Sequence, residues 1–130
     1  MDVMAFYEDV QFLPKWPGIP FGDGEGEIIM GVLGKTHWSA LLAHHGLIVG
    51  GRTLEEAVYR AFFFEKAAKM QLLAMGAGRP LQQVDPELAR KARDWRINDG
   101  PVKAHFGAWA CDALRKPAHA DLDYSTKNCL

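Results

Sequence analysis

Two short apolar runs and one long amphipathic segment occupy residues 39–75. Turn residues bound each apolar run, which is typical of buried strands. The amphipathic segment opens with Thr53 followed by Glu56, in the form of a capping box at a helix N-terminus. The pattern therefore predicts strands over residues 39–43 and 47–49, and then one long helix that starts at Thr53.

The predicted long helix carries two apolar sets. Viewed at about 100° per residue, one set forms a narrow stripe, and its alanines favour a close approach to the sheet. This stripe consists of Ala57, Ala61, Phe64, Ala68, Leu72 and Met75. A second set lies towards the opposite side among charged residues: Phe62, Phe63, Met70 and Leu73. The alternatives are burial on both sides within one domain and a subunit interface, and the short chain favours the interface.

The rest of the chain predicts smaller elements. In chain order these are a strand, a proline-rich loop and a helix before the central region, then two helices and a polar tail. The strand covers residues 1–10, the loop 11–24 and the first helix 25–33. The two later helices cover residues 86–97 and 101–114, and the tail covers residues 117–130. Asp85 before Pro86 is a strong helix start, with an N-cap side chain and proline at the first helical position. We expect one domain over residues 1–116 and a loose tail over residues 117–130.

Composition sets modest limits on function. The chain has 130 residues, 48% of them hydrophobic, and a formal charge of −1, which fits one globular domain. Charges of both signs are mixed, so nothing favours a nucleic-acid or anionic-membrane partner. No apolar stretch reaches the roughly 18 residues that span a bilayer. Cys111 and Cys129, without a secretory signal, predict free thiols and a cytoplasmic location.

His44-His45-Gly46, between the two predicted strands, is the main chemical candidate. Imidazole is the commonest metal ligand and the usual acid–base group near neutral pH. Adjacent side chains of a strand point to opposite faces, so the two histidines are not expected to bind one ion together. The alternative is a structural histidine held by hydrogen bonds. His37 is expected to be solvated, and His105 to be structural.

Residues 41–72 read LLAHHGLIVGGRTLEEAVYRAFFFEKAAKMQL. This segment resembles the class II aldolase/adducin family, whose motif is a strand, Asn/His-His-Gly-Leu, a second strand, Thr-x-Glu-Glu-Ala and a long helix. The resemblance implies an α/β fold, with a three-layer α/β/α arrangement and a largely antiparallel central sheet. It also implies a homo-oligomer, usually a cyclic tetramer with active sites at subunit contacts.

The resemblance assigns roles to two residues. His45 matches a metal ligand of the family's enzymes, which hold zinc or another divalent ion with three histidines and often a carboxylate. His44 stands where the family often has Asn, so it is not expected to be a ligand. Family aldolases use a tyrosine from a neighbouring subunit as a proton donor, and Tyr7 is the candidate for this catalytic role. The alternative for Tyr7 is an aromatic packing residue.

The chain departs from the family pattern in its upstream part. The family's other two metal histidines form a His-x-His pair, and no such pair occurs here. The family's acidic catalytic residue and phosphate-binding loops are also missing. The sequence therefore resembles the C-terminal portion of a family member, incomplete at the N-terminus.

Two functions are consistent with the resemblance. The first is a metal-dependent lyase that breaks a C–C bond of a small carbonyl substrate, by aldol cleavage of a hydroxy-keto sugar phosphate or by decarboxylation. The second is a non-catalytic assembly module, like the adducin head, that lacks a full metal site.

Overall fold

The computed structural model describes residues 2–16, 18 and 24–115, which form a mixed α/β fold. The elements, in chain order, are a 3₁₀ helix (Asp2–Phe6), β1 (Val10–Leu13), α1 (Gly24–Leu33), β2 (Ser39–Leu42), β3 (Gly46–Val49), α2 (Leu54–Gly76), α3 (Pro86–Arg96) and α4 (Asp99–Leu114). The predicted helices and both central strands are confirmed to within about two residues at each end. The predicted tail over residues 117–130 lies outside the described residues, so the domain boundary stays a prediction.

The sheet that the structure describes has three strands in the order β1-β2-β3. β1 pairs with β2 in parallel, and β2 pairs with β3 in an antiparallel hairpin. A parallel pair needs a crossover connection, and α1 lies on the one that joins β1 to β2. The sheet is therefore mixed, whereas a largely antiparallel one was expected, and the three-layer arrangement stays a prediction.

The expectation of a strand over residues 1–10 is wrong, because half of this segment, Asp2–Phe6, is the 3₁₀ helix. Ala5 and Phe6 are neighbours in sequence and both are buried, which a half-buried strand with alternating faces does not allow. The strand begins at Val10, the last residue of the predicted strand segment, and continues to Leu13 in the predicted proline-rich loop. It ends at Leu13, directly before Pro14, which agrees with proline being confined to strand ends and edges.

The N-terminus of α2 is capped as the sequence predicts. The Thr53 hydroxyl accepts a hydrogen bond from the Glu56 backbone N–H at 3.2 Å. The return half of the capping box is replaced, because the Glu56 carboxylate binds Arg52 and Arg60. Glu56 therefore binds the side chains of Arg52 and Arg60 through its carboxylate and takes part in the N-terminal cap of the helix through its backbone N–H.

The predicted core stripe of α2 is wrong. The buried face consists of Glu56, Tyr59, Arg60, Phe63, Phe64 and Ala67, so only Phe64 belongs to both sets. Ala68, Leu72 and Met75 are exposed. The buried face begins with two charged residues, which pair with each other and so escape a search for apolar periodicity.

The main apolar cluster lies between the 3₁₀ helix, α2 and α4, while Ala40 and Leu42 of β2 are buried outside that cluster. The buried apolar members of the cluster are Ala5, Phe6, Tyr59, Phe63, Phe64, Ala67 and Val102. The Phe6 and Phe64 rings meet edge to face, with centroids 5.0 Å apart. This core fixes the 3₁₀ helix, and with it the start of β1, against the first half of α2.

Two further features complete the fold. Cys111 is disulfide-bonded, so the expectation of a free thiol at this position is wrong, and Cys129 lies outside the described residues. Among the helices that the structure describes, none is both long enough and apolar enough to cross a bilayer.

Candidate functional site

The turn between β2 and β3 presents the two adjacent histidines. The His45 backbone N–H donates to the Leu42 carbonyl at 3.0 Å and closes the turn. The Ala43 N–H donates to the Leu13 carbonyl at 2.9 Å and ties the turn to the end of β1. Both histidine side chains are exposed. The turn therefore offers imidazole groups to solvent from a backbone that is fixed at two points.

His44 adopts the left-handed backbone conformation, with φ at 60°. This conformation costs a residue with a side chain about 1–2 kcal/mol, and Asn, Asp and His tolerate it best. Strained residues of this kind are concentrated at functional turns. His44 thus shapes the turn between β2 and β3.

Trp16 is a neighbour of His45 that the sequence did not predict. The two rings meet edge to face, with centroids 4.4 Å apart and planes at 86°. The indole offers only a hydrogen-bond donor, so it is no metal ligand. Trp16 follows β1 closely, and the same end of β1 anchors the turn. The segment after β1 therefore restricts the orientation of the His45 imidazole.

Tyr7 lies at the other end of the sheet, in the turn between the 3₁₀ helix and β1. Its backbone carbonyl accepts a hydrogen bond from the Arg93 guanidinium at 3.3 Å, and the Arg90 guanidinium lies 5.8 Å from its ring centroid. β1 and β2 run parallel and in register, so Tyr7 precedes one end of both strands and His45 follows the other. Four strand residues span about 13 Å. Within one chain, the structure does not bring Tyr7 and His45 together.

The described residues do not form a complete metal site. In the part of the chain that the structure covers, there is no group of three or more His, Cys, Asp or Glu side chains placed to hold one ion. The turn presents the exposed imidazoles of His44 and His45, and the His45 ring lies beside the Trp16 indole, which cannot coordinate. The donor set therefore fits one ligand of a divalent ion and not the whole coordination shell.

A buried ion network lies at the Tyr7 end of the sheet, and the sequence did not predict it. Arg60 binds Glu56 at 2.8 Å and Asp9 at 2.8 Å, and all three side chains are less than a tenth exposed. The Arg52 guanidinium adds a second partner for Glu56 at 2.7 Å. The network joins α2 to the residue that directly precedes β1.

Asp9 is the junction of this network with the sheet. Its carboxylate accepts hydrogen bonds from the Trp38 backbone N–H at 2.8 Å and from the Ser39 hydroxyl at 3.1 Å. Trp38 and Ser39 stand at the start of β2. Asp9 therefore fixes the start of β1 beside the start of β2, and Arg60 fixes both to α2.

The charges of the network stabilise the ionised form of Glu56. Burial alone raises the pKa of this carboxyl, but the hydrogen bonds from Arg52 and Arg60 outweigh it, so the pKa lies below its ordinary value of 4.5. On the surface nearby, a hydrogen bond from Arg90 lowers the pKa of Glu8. A polar cavity of about 360 Å³ borders the network and includes Arg93 in its lining.

A larger, mostly apolar cavity of about 1060 Å³ lies between the 3₁₀ helix, the sheet and the second half of α2. Tyr7 lines it together with Leu41, Phe64 and Leu72. Tyr7 is half-buried, and the cavity that it lines does not include the histidine turn.

The other described histidines have structural surroundings. His37, expected to be solvated, is half-buried: its Nδ1 lies 3.1 Å from the Leu33 carbonyl and its Nε2 lies 2.9 Å from the Gln11 amide. The carbonyl only accepts, so Nδ1 carries the proton and Nε2 accepts from the amide. His105 packs among aromatic rings, 5.2 Å from Phe63 and 5.4 Å from Trp109 between centroids. His119 lies outside the described residues.

A mixed α/β fold in which a His-His-Gly turn precedes a long capped helix defines a class II aldolase-like domain. Residues 1–72 match the model of the Class II Aldolase and Adducin N-terminal domain. This match covers more than half of the 130 residues, so the chain belongs to the class II aldolase and adducin family. The family expected from the histidine motif is confirmed.

Two curated relatives share part of the chain. It is 32% identical over 89 residues to Decarboxylase NovR of Streptomyces niveus. This alignment covers 68% of the present chain and 32% of NovR. It is 30% identical over 89 residues to the 4-hydroxy-3-prenylphenylpyruvate oxygenase/4-hydroxy-3-prenylbenzoate synthase of Streptomyces roseochromogenus subsp. oscitans. This alignment covers 68% of the present chain and 31% of that relative. The match thus spans about one third of the length of these relatives.

Two solved structures resemble this one over most of its length. The aldolase II superfamily protein from Pseudomonas syringae aligns with a TM-score of 0.73 at 27% identity, over 88% of this chain and 46% of that chain. L-fuculose 1-phosphate aldolase from Glaciozyma antarctica PI12 aligns with a TM-score of 0.67 at 25% identity, over 88% and 42%. The chain therefore corresponds to less than half of either structure.

Proposed function

We propose that this chain forms part of a metal-dependent lyase of the class II aldolase type. The observation that carries the proposal is His45, exposed on a strained turn within a domain of this family. One relative is a decarboxylase and one solved neighbour is an aldolase, and both reactions break a C–C bond. The substrate class is a small carbonyl compound, either a hydroxy-keto sugar phosphate or a carbonyl acid.

In this proposal His45 contributes one ligand to a divalent ion, with zinc as the first choice. The described residues contain no group of three or more potential ligands, so in this proposal another polypeptide segment or another subunit completes the site. Tyr7 is the proposed proton donor. It would serve the site of a neighbouring subunit, because the length of the sheet separates it from His45 of its own chain.

Other parts of the proposal follow from the family resemblance. The assembly is a homo-oligomer, with a tetramer as the expected size. The sheet is expected to lie between helix layers in a three-layer arrangement. None of these features depends on which carbonyl compound is cleaved.

A non-catalytic role is the second candidate. The observation that favours it is that the described part of the chain has no group of three or more His, Cys, Asp or Glu side chains placed to hold an ion. In this case the chain keeps the fold for assembly, and His44 and His45 only shape a turn.

Metal content separates the two candidates. The purified protein is equilibrated with Zn²⁺, dialysed and analysed for metal per chain, together with His45→Ala and His44→Ala. We expect the wild type and His44→Ala to retain metal and His45→Ala to lose it, with unchanged circular dichroism. His44 is a matched control, because it is an exposed histidine of the same turn.

Equal metal content in His45→Ala and the wild type would exclude His45 as a ligand. A wild-type chain that retains no metal would favour the non-catalytic role. If the wild type retains metal, the metal-loaded protein is assayed for cleavage of L-fuculose 1-phosphate and for CO₂ release from carbonyl acids.

A further inference from the structure

The Trp16 indole packs directly against the imidazole of His45. The two ring planes are nearly perpendicular, at 86°, and the centroids lie 4.4 Å apart. This separation is at the close end of the range of about 4.5–7 Å that aromatic pairs adopt. Trp16 is half-buried and His45 is exposed. The indole therefore contacts the imidazole and still leaves part of it open to solvent.

The backbone holds the two rings near each other. The Ala43 N–H donates to the Leu13 carbonyl at 2.9 Å, which ties the histidine turn to the end of β1. Trp16 follows Leu13 by three residues, and His45 follows Ala43 by two. Pro14 has a fixed φ, so it narrows the paths that the chain can take after β1. The ring contact therefore joins two segments that are already bound to each other.

The indole is the one group among the described residues that restrains the imidazole of His45. Neither ring nitrogen of His45 makes a hydrogen bond within this part of the chain. His37 is the opposite case, because its two ring nitrogens lie 3.1 Å from the Leu33 carbonyl and 2.9 Å from the Gln11 amide. A histidine that binds a metal usually has its second ring nitrogen hydrogen-bonded, which fixes the orientation of the ring. At His45 the packing of Trp16 takes the place of that bond.

His44 has no comparable restraint. Its side chain leaves the same turn and is exposed, but no aromatic ring of the described residues packs against it. Both imidazoles are thus accessible, and the one that lies against the indole is restricted in orientation. The difference makes His44 a matched comparison for His45.

We propose that Trp16 is a positioning residue, whose indole holds the imidazole of His45 in one orientation before a divalent ion binds. The inference rests on the proposed function, in which His45 is a metal ligand. An unrestrained histidine side chain samples three staggered positions about its first torsion and roughly two about its second. Restriction to one of these orientations raises the affinity for an ion by up to about sixfold, without any contact between the indole and the ion.

The orientation is measured first in metal-free protein. The ring protons of His45 are observed by NMR and assigned by their absence from His45→Ala, and those of His44 by their absence from His44→Ala. Protons beside an indole are shifted by its ring current, so in Trp16→Leu the His45 signals should move to the positions of an exposed histidine. The His44 signals should stay in place. Unmoved His45 signals in Trp16→Leu would overturn the proposal, whatever the metal content.

Zinc affinity measures the consequence of the orientation. Zn²⁺ is titrated into each variant by isothermal calorimetry. We expect Trp16→Leu to bind Zn²⁺ about three- to sixfold more weakly, with the same number of ions per chain. Trp16→Phe keeps an aromatic ring and should bind nearly as tightly as the wild type. An unchanged affinity in Trp16→Leu would overturn the proposal.

The control is the same substitution at an indole remote from the turn. Trp95 lies on α3 and is 60% exposed, so Trp95→Leu should leave both the zinc affinity and the His45 signals unchanged. Circular dichroism verifies that every variant is folded. A loss of affinity in Trp95→Leu equal to that in Trp16→Leu would overturn the proposal, because the effect would then not depend on the contact with His45.

The two measurements separate this inference from the proposed function. A wild type that binds no Zn²⁺ would remove the lyase proposal, and the NMR comparison alone would then decide whether Trp16 orients His45. Equal Zn²⁺ binding by the wild type and His45→Ala would exclude His45 as a ligand, and with it the positioning role of Trp16.

Discussion

The substitution Arg60→Met tests whether the buried ion network holds the fold together. Methionine keeps much of the length and the apolar stem of arginine but removes its charge and donors. Arg60 makes bonds of 2.8 and 3.0 Å to Glu56 and of 2.8 Å to Asp9. Both carboxylates stay buried in the variant, so each loses a partner without gaining access to water.

The magnitude follows from what each acid retains. Removing one partner of a buried ion pair costs about 3–5 kcal/mol, mostly because the remaining charge is uncompensated. Asp9 keeps the Trp38 N–H and the Ser39 hydroxyl, and Glu56 keeps Arg52. The loss should therefore lie near the lower limit, at about 3 kcal/mol. This is a large part of the 5–15 kcal/mol that usually stabilises a domain.

Urea unfolding followed by circular dichroism measures the effect. With a slope of about 2 kcal/mol per molar urea, a loss of about 3 kcal/mol lowers the midpoint by roughly 1.5 M. Arg52→Met is the control, because Arg52 also binds Glu56 but is 59% exposed. An exposed pair contributes at most about 1 kcal/mol, so its midpoint should fall by less than about 0.5 M. Equal shifts in the two variants would refute the reasoning.

Two further predictions concern the same region. The pKa of folded Glu56 is depressed, so its stabilisation is present above its ordinary pKa of 4.5 and is lost as pH falls through the lower folded value. The urea concentration at the unfolding midpoint should therefore decrease as the pH falls below about 4.5, and the decrease should be smaller in Glu56→Gln. Identical pH profiles of the midpoint in the wild type and Glu56→Gln would contradict this. Gly51→Ala should lower the melting midpoint by the equivalent of about 1–3 kcal/mol. The new Cβ would lie 2.6 Å from the Ala57 backbone nitrogen, whereas Gly31→Ala meets open space and should be neutral or stabilising.

The sequence predicts element types well where one local rule decides. Thr53 and Asp85 cap the helices that they were expected to cap. The two central strands were predicted from apolar runs bounded by turn residues, and the structure confirms them. Local propensity and capping are written in neighbouring residues, so they need no knowledge of the rest of the chain.

The burial of α2 was not predictable from apolar periodicity. Glu56 and Arg60 lie on its buried face because they satisfy each other and Asp9, which is 51 residues from Arg60 in sequence. A rule that assigns charges to solvent places this face outside and moves the predicted stripe towards the alanines. Pairing across such a distance depends on topology, which a local pattern does not contain.

The candidate site was predictable in part. The His-His-Gly motif located the turn, and the family match confirms the family that the motif indicated. The conformation of His44 and the contact of His45 with Trp16 were not predicted. The first would have followed from asking which residue of the turn has to adopt positive φ, while the second depends on how the segment after β1 folds back.

The ion network and the histidine turn hold the same short strand at its two ends. Asp9 directly precedes β1 and binds Arg60, while Leu13 ends β1 and accepts the hydrogen bond that anchors the turn. Loss of Arg60 should therefore loosen the support of the turn at a distance, and reduce metal retention together with stability. His45→Ala leaves both anchors in place and should reduce metal retention alone. Comparison of the two variants thus distinguishes a fault in the scaffold from the loss of a ligand.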